Sequence, residues 1–210
     1  MSQGDSFYAI INGMHNLENY ETFLDIIMPS IDRKFESQKE YISCAKGCAQ
    51  CCKNASMPFS DIEFDYLKEG YNTLDDSHKS IVIQKIKDMI DEKIEPACPF
   101  LFDEVCSVYK YRGLICRMFG LLLINESNEY TIPFCIHDGL NYSKIFDETT
   151  GAFSEEKKSS LGIETEPVFY QLSRSLIFSL PLAKDLNIIP NESKPLIEWL
   201  KNFYAEYEKK

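Results

Sequence analysis

The stretch from residue 44 to residue 52 reads CAKGCAQCC and places four cysteines within nine positions. On a helix these four positions would share one face, within an arc of about 100° at 3.6 residues per turn. In an irregular loop the backbone would instead wrap around a centre, and Gly47 suits a wrap because glycine accepts positive φ. Single free cysteines are common in protein cores, but a core built from four of them in nine positions would be unusual. We therefore predict a wrapped, ligand-binding loop.

Four further cysteines follow at wider spacing, each beside a turn signal or at the end of a short β-prone run. The eight cysteines are Cys44, Cys48, Cys51, Cys52, Cys98, Cys106, Cys116 and Cys135. Soft thiolates select zinc, copper(I) or iron–sulfur clusters, so we predict that all eight are metal ligands. Cys52 has two interpretations, a ligand of a second centre or a buried thiol, because adjacent side chains project in different directions. Grouping of the eight into one centre or two stays open.

The spacing also bears on the identity of the metal. Tetrahedral zinc usually takes two pairs of ligands, each pair with two to four residues between its members. The compact group shows that spacing and the spread group does not, whereas C-x3-C-x2-C with a distant fourth ligand suits a 4Fe–4S cluster. Radical S-adenosylmethionine enzymes share the spacing but need a βα barrel after it, and residues 53–95 read as helices. We predict an iron–sulfur centre, with zinc as the alternative.

The composition and net charge indicate which class of protein, which partners and which cellular compartment to expect. The chain has 210 residues, a net charge of −11 and 44% hydrophobic residues, which is typical of a globular protein. Nucleic acid and anionic membrane surfaces are poor partners for so acidic a chain. The first residues show no basic stretch followed by an apolar run, and no apolar run approaches the roughly 20 residues of a membrane span. We expect a cytoplasmic protein whose thiols stay reduced, rather than four disulfides.

The pattern of apolar residues predicts a mostly α (α+β) fold, with a helical body and a small irregular cysteine-rich metal lobe containing short β-hairpins. We expect a single domain over residues 1–210, with the metal region at 42–140 and helical segments at 1–41 and 141–210 packed on it. In the first segment Ile10, Met14, Leu24 and Ile31 follow the helical period, and Pro29 predicts a kink or a restart. In the last segment, the predicted amphipathic helices are Pro167–Lys184 and Glu192–Tyr207.

Two helices and several short strands are predicted within the metal region. Ser60-Asp61-Ile62-Glu63 has the spacing of a capping box and should begin a helix that runs to about Glu69. A second helix should run from Asp76 to Lys93. Its buried side is predicted to contain Ile81, Ile83, Ile86, Met89 and Ile90. The β-prone runs are 100–102, 106–109, 120–124 and 130–134, with turns at 103–104 and 125–128.

Five further residues are candidates for roles around the thiols or in the helical body. Arg112 and Arg117 flank Cys116 and could offset thiolate charge or bind an anionic substrate, or could form ordinary salt bridges. Tyr109 is expected to pack over the site. His137 follows Cys135 and could replace a cysteine ligand, although a surface or hydrogen-bonded histidine is the simpler expectation. Arg174, in an apolar stretch, should pair with a carboxylate.

The cysteine strings together resemble the YkgJ-type cysteine-cluster family, whose domain chelates zinc or iron. The matching strings are Cys44-x3-Cys48-x2-Cys51-Cys52, Cys98-Pro99-Phe100-Leu101, Cys106-Ser107-Val108-Tyr109-x2-Arg112, Cys116-Arg117-Met118-Phe119 and Cys135. They span residues 44–135. One departure is Gly113, where the family usually has proline after the arginine, and it should loosen the turn before Cys116. Flagellin lysine N-methylases in this family imply a 4Fe–4S centre and methyl transfer from S-adenosylmethionine.

Three functions are compatible with these observations. The first is an iron–sulfur protein of redox type, such as an oxidoreductase. The second is a structural zinc module whose helical body binds a partner protein. The third is an S-adenosylmethionine-dependent protein methyltransferase with a protein substrate, although no methyl-donor motif can be assigned to particular residues. The sequence fixes neither the substrate nor the oligomeric state.

Overall fold

The computed structural model describes residues 3–45, 47–53, 57–125, 127–163 and 166–209, with side chains from Leu17 onward. The helices are α1 Gln3–Ser37, α2 Gln50–Lys53, α3 Asp61–Asn72, α4 Asp76–Ile90, α5 Leu114–Met118, α6 Glu155–Ser160, α7 Arg174–Phe178, α8 Pro181–Asp185 and α9 Leu196–Tyr207. The strands are β1 Pro58–Ser60, β2 Leu101–Phe102, β3 Val105–Cys106, β4 Leu123–Ile124, β5 Tyr130–Thr131, β6 Tyr170–Gln171 and β7 Ser193–Pro195. The predicted fold class is confirmed: the described chain is mostly helical, with short strands in small sheets.

Helix α1 forms one wall of the first hydrophobic cluster. Tyr20, Phe23, Leu24, Ile27 and Ile31 are buried along one face of α1, as the helical period requires. The helix continues through Pro29, so the predicted restart is wrong, and this exposed residue lies on the face away from the cluster. The side chains of Ile10 and Met14, also predicted for this face, lie outside the described residues.

Helix α3 separates the first hydrophobic cluster from a second one. Ile62 and Tyr66 face α1, whereas Phe64, Leu67 and Tyr71 face α4 and α9 in the second hydrophobic cluster. The capping box at Ser60 begins α3 as predicted. Strands β1 and β7 pair antiparallel with Pro58 opposite Pro195, so the chain just before α3 is joined to the chain just before α9.

Short strands bound the cysteine-rich lobe, as the β-prone runs predicted. Strands β2 and β3 form a hairpin through Asp103 and Glu104, both at positive φ. Strand β4 pairs antiparallel with β5 and parallel with β6, which ties residues 123–131 to residues 170–171. A third hydrophobic cluster lies beside this sheet. Its buried members are Tyr41, Leu122, Ile136, Tyr142, Ile145 and Phe146.

Several predicted details of the helices are wrong. Helix α4 buries Val82 rather than Ile81, which is 44% exposed, while Ile86 and Met89 are buried as predicted. The predicted helix Pro167–Lys184 is instead β6 followed by two short helices. Ser173 caps α7, and Pro181 begins α8, because proline fits the first turn of a helix and destabilises its interior.

The predicted helix over Glu192–Tyr207 begins later than expected. Its first residues pair with β1 as strand β7, and α9 begins at Leu196. Of the helices in the described part of the chain, none has the length and apolarity to cross a bilayer.

Candidate metal centre

The compact cysteine group lies on a wrapped loop and not on one continuous helix. Cys44 and Cys48 are in irregular backbone, and only Cys51 and Cys52 belong to the single turn α2. Gly47 has φ +95°, the conformation that glycine adopts readily and other residues avoid. The prediction that this stretch is an irregular loop rather than one helix is therefore confirmed. Within α2 the Sγ atoms of Cys51 and Cys52 are 3.9 Å apart.

The spread group approaches the compact group from a hairpin and a short helix. The backbone N–H of Cys98 donates to the carbonyl of Cys52 at 2.8 Å. Cys106 is in β3, opposite Leu101 of β2, and Cys116 is in α5. A narrow cavity of about 90 Å³ lies between these elements. Most of the side chains that line it are apolar and buried or half-buried, and we name it the enclosed cavity to distinguish it from the wider cleft described next. The cysteines of the enclosed cavity are Cys48, Cys51, Cys52, Cys98, Cys106 and Cys116.

A second, larger space adjoins the first on the side of α1. This open cleft has a volume of about 430 Å³. Met28, Asp32 and Phe35 of α1 form its far wall. Cys135 reaches it from a 3₁₀ turn over Phe134–Asp138. The cysteines that line the open cleft are Cys44, Cys48, Cys51, Cys116 and Cys135. The structure thus gathers all eight cysteines around two adjoining spaces.

A buried asparagine holds Cys44 in the open cleft. Asn141 Nδ2 donates to Cys44 Sγ at 3.0 Å, and the Asn141 side-chain oxygen accepts from the backbone N–H of Ser43 at 2.7 Å. Gly120 lies against the same two side chains at φ +112°, and a Cβ there would be 2.8 Å from Cys44 Sγ. Sequence reasoning missed both Asn141 and Gly120, because neither stands near Cys44 in the chain.

A buried carboxylate supports the helix that carries Cys116. Glu63 is fully buried and accepts from the backbone N–H of Leu114, the first residue of α5, at 2.8 Å. Arg174 Nε donates to the same carboxylate at 3.1 Å, which confirms the predicted pairing of Arg174. The capping box revealed Glu63 as a cap of α3, but gave no signal that it also supports α5.

Gly113 has a packing role in this support. A Cβ at Gly113 would be 2.6 Å from Phe59 Cε1 and 3.2 Å from Glu63 Oε1. The backbone has φ −63°, an angle that proline also adopts, so space rather than the backbone angle excludes a larger residue. The missing side chain of Gly113 lets Phe59 and Glu63 pack against α5, whereas the looser turn before Cys116 stays a prediction.

Two arginines and a tyrosine stand beside both groups of thiols. Arg112 and Tyr109 line both the enclosed cavity and the open cleft, and the Arg112 guanidinium stacks 3.5 Å from the centre of the exposed Tyr109 ring. Arg117 lines the open cleft, and its Nε donates to the carbonyl of Arg112 at 3.0 Å. His137 lies apart: it is exposed, and its Nδ1 contacts the carbonyl of Glu148.

Burial and crowding raise the pKa of several of these thiols and so favour their protonated form while no metal is bound. Burial first, and then the neighbouring thiols, raise the pKa of Cys135 to about 12. Burial also raises the pKa of Cys44, Cys106 and Cys116 above that of a free thiol. Metal ligation requires thiolates. A metal that binds here at neutral pH must therefore displace protons, and it would supply the positive charge that the buried thiolates need.

The cysteine side chains are donors that suit a thiophilic metal, although they are not arranged around a single metal position. Among the described residues, no three histidine, cysteine, aspartate or glutamate side chains already surround a common point at metal-binding distance. The eight thiols are free of disulfides, and the 3.9 Å between Cys51 and Cys52 Sγ is close to the edge of a tetrahedron with metal–sulfur bonds of about 2.3 Å.

Comparison with known proteins agrees with this chemistry. Residues 43–135 match the model of the CxxCxxCC family, described as a "putative zinc- or iron-chelating domain". No curated protein and no solved structure matched the chain. The family match begins one residue before Cys44 and ends at Cys135, so it contains every cysteine of the chain. The resemblance drawn from the cysteine strings is confirmed over this region.

Proposed function

We propose that residues 43–135, a domain of the zinc- or iron-chelating type, hold a 4Fe–4S centre with a redox or methyl-transfer role. One observation carries the proposal: Cys44, Cys48, Cys51 and Cys135 line one solvent-accessible cleft whose wall includes two arginines. Three of these thiols come from the C-x3-C-x2-C loop and the fourth from a distant turn, the arrangement expected of cubane ligands.

The residues around the cleft have separable roles in this proposal. The thiols hold the centre, which when bound would supply one-electron transfer. Arg112 offsets the negative charge of the thiolates, since it lines the cleft beside Cys51 and Cys116. Asn141 donates to Cys44 Sγ, and hydrogen bonds to cluster sulfurs tune the reduction potential. The exposure of Cys44 and Cys48 would let a redox partner or a protein substrate approach.

Analysis of anaerobically purified protein tests the iron–sulfur centre directly. We expect iron and acid-labile sulfide in equal amounts, with a visible absorption that dithionite bleaches reversibly. Anaerobic handling matters because zinc outranks iron(II) in affinity for such sites and can replace it. A colourless protein with stoichiometric zinc and no labile sulfide would overturn the proposal.

The methyl-transfer form of the proposal needs a methyl donor. We expect the metal-loaded protein to bind S-adenosylmethionine, as measured by isothermal titration calorimetry, and Cys48→Ala to abolish that binding. Cys48 is a suitable probe because it is exposed and lines both spaces. Absence of binding to the loaded wild-type protein would remove the methyltransferase function and leave the redox function.

A structural zinc module that binds a partner protein is the second candidate. It is favoured by the enclosed cavity, where Phe59, Leu67 and Leu196 surround thiols of both cysteine groups. Chelation should then expose residues 43–135 to hydrogen exchange, since structural zinc contributes folding free energy. A centre that dithionite reduces reversibly would contradict this candidate as the sole function.

We propose the reducing cytoplasm as the location, because a set of free thiols persists there. Fractionation of cells that express the untagged chain tests this placement. Recovery in an oxidising compartment would contradict it.

A further inference from the structure

The enclosed cavity and the open cleft do not share all of their cysteines. Cys52, Cys98 and Cys106 line the enclosed cavity alone, whereas Cys44 and Cys135 line the open cleft alone. The thiols on the boundary, which line both spaces, are Cys48, Cys51 and Cys116. The division therefore runs through the compact group, between the adjacent residues Cys51 and Cys52.

Chain connections assign two of the boundary thiols to the open cleft. Cys48 and Cys51 follow Cys44 on the same loop, and Cys135 reaches the same cleft from the separate 3₁₀ turn Phe134–Asp138. The open group then consists of Cys44, Cys48, Cys51 and Cys135.

The third boundary thiol belongs with the enclosed cavity. Cys98 is joined to Cys52 by the 2.8 Å backbone hydrogen bond and to the β2–β3 hairpin by a second one, from Leu101 N–H to the Cys98 carbonyl. Cys106 faces Leu101 in that hairpin. Cys116 packs against the second hydrophobic cluster, as Cys98 and Cys106 do, and this places it on the side of the enclosed cavity. The enclosed group then consists of Cys52, Cys98, Cys106 and Cys116.

The two groups of thiols differ in how apolar and how exposed their surroundings are. Cys98, Cys106 and Cys116 pack against the second hydrophobic cluster. The cavity they line is walled by apolar side chains such as Leu67 and Val108. In the open group Cys44 and Cys48 are exposed. Structural zinc sites are closed by four protein ligands, whereas reactive sites keep an accessible side.

We propose that the chain binds two metal centres: a structural zinc ion on Cys52, Cys98, Cys106 and Cys116, and a separate reactive centre on Cys44, Cys48, Cys51 and Cys135. The assignment of the reactive centre as an iron–sulfur cluster rests on the proposed function, whereas the division into two centres does not. The 3.9 Å between Cys51 and Cys52 Sγ would also suit one shared centre, so the experiment must distinguish the two arrangements.

Paired substitutions test the division, with each pair drawn from thiols that line only one space. The full chain is purified anaerobically as wild type, as Cys44→Ser with Cys135→Ser, and as Cys98→Ser with Cys106→Ser. Zinc, iron and labile sulfide are then measured per chain. We expect the open pair to lose iron and sulfide while one zinc and the helical circular dichroism remain. Loss of all metal from the open pair variant would overturn the proposal, because it would indicate one shared centre.

The enclosed pair variant is expected to lose zinc and thermal stability, and it can fail to fold. Stepwise chelation of the wild-type protein provides a second measurement that needs no variant. We expect two phases: the reactive centre is lost first with helical content unchanged, and zinc is lost later together with unfolding. Release of all metal in a single phase would overturn the division. Two zinc ions per chain without sulfide would overturn the iron–sulfur function and leave the two centres standing.

Discussion

The enclosed group and the open group are built from the same side chain, yet the protein surrounds them differently. Around the enclosed group the contacts are mostly apolar and come from α3, α9 and the β2–β3 hairpin. The surroundings of the open group are more polar, with Asn141 on Cys44 and with Asp32 and Arg117, which do not line the enclosed cavity. Burial sets the stability of a core, whereas access and charge set reactivity. Under the proposed assignment, one cysteine-rich region combines a structural and a reactive surface.

The largest expected effect comes from Glu63, which supports the helix of the enclosed group. Glu63→Gln leaves the Arg174 guanidinium, whose side chain is only 14% exposed, without its carboxylate. Removal of one partner of a buried pair typically costs about 3–5 kcal/mol. We expect a loss of that size in the free energy of unfolding, measured by urea denaturation.

Glu192→Gln is the matched control for this substitution. Glu192 pairs with Lys194 at 3.2 Å on the surface, where its side chain is 58% exposed, and such pairs contribute about 1 kcal/mol or less. Equal losses of unfolding free energy in the two variants would show that the burial of Glu63 does not stabilise the part of the lobe that carries the enclosed group.

The next effect tests the open group through Gly120. Gly120→Ala places a Cβ 2.8 Å from Cys44 Sγ and 2.9 Å from Asn141 Nδ2, at φ +112°. Strained backbone of this kind costs about 1–3 kcal/mol, and the clash should also displace Cys44. We expect lower stability together with loss of metal from the open group, measured by metal analysis.

Gly139→Ala separates strain from the clash in that experiment. Gly139 also has positive φ, +71°, but an added Cβ there meets no atom within 4 Å. Its substitution should reduce stability and leave the metal content unchanged. If Gly120→Ala also retained its metal, close packing against Cys44 would have no role in the open group.

A smaller effect is expected from the hydrogen bond that holds Cys44. Asn141→Ala removes the donor to Cys44 Sγ and the acceptor of Ser43 N–H, and each hydrogen bond contributes about 1 kcal/mol. A bound redox centre should also shift in reduction potential, because a donor to sulfur is lost. Asn72→Ala, at an exposed asparagine, is the control and should leave the potential unchanged. Identical potentials in both variants would exclude the role of Asn141.

The smallest effect lies at the start of α4, on the far side of the second hydrophobic cluster. Hydrogen bonds from the Ser77 hydroxyl and the His78 backbone N–H lower the pKa of Asp75 below its usual value. A lowered folded pKa stabilises the protein above the unfolded pKa of about 3.9, and this contribution disappears as pH falls toward the folded pKa.

Asp75→Ala should therefore lower Tm slightly at pH 7 and by less at pH 3, as measured by calorimetry. Asp75→Asn keeps a good capping side chain without a titrating group. The decrease in Tm that it causes should therefore vary less with pH. If Asp75→Ala lowered Tm by the same amount at both pH values, the role assigned to the carboxylate would be contradicted.

The parts of the fold that were predicted correctly depend on local sequence. Ser60 and Glu63 are three residues apart, and their capping box begins α3 as the spacing indicated. Asp103 and Glu104 form the turn of the predicted hairpin. The errors lie where packing overrides local pattern. Val82 rather than Ile81 faces the second hydrophobic cluster, since several apolar residues in a row leave the buried face of a helix ambiguous.

The sequence by itself determined the candidate metal ligands and the loop on which the first of them lie. The spacing of the cysteines and the position of Gly47 are local properties, and a wrapped loop follows from them. Only the tertiary structure decided which thiols meet. Cys52 lies beside Cys98 because a backbone hydrogen bond joins residues far apart in the chain, and Cys44 is held by Asn141, which lies 97 residues away. Contacts of this kind depend on packing between elements, which no local pattern encodes.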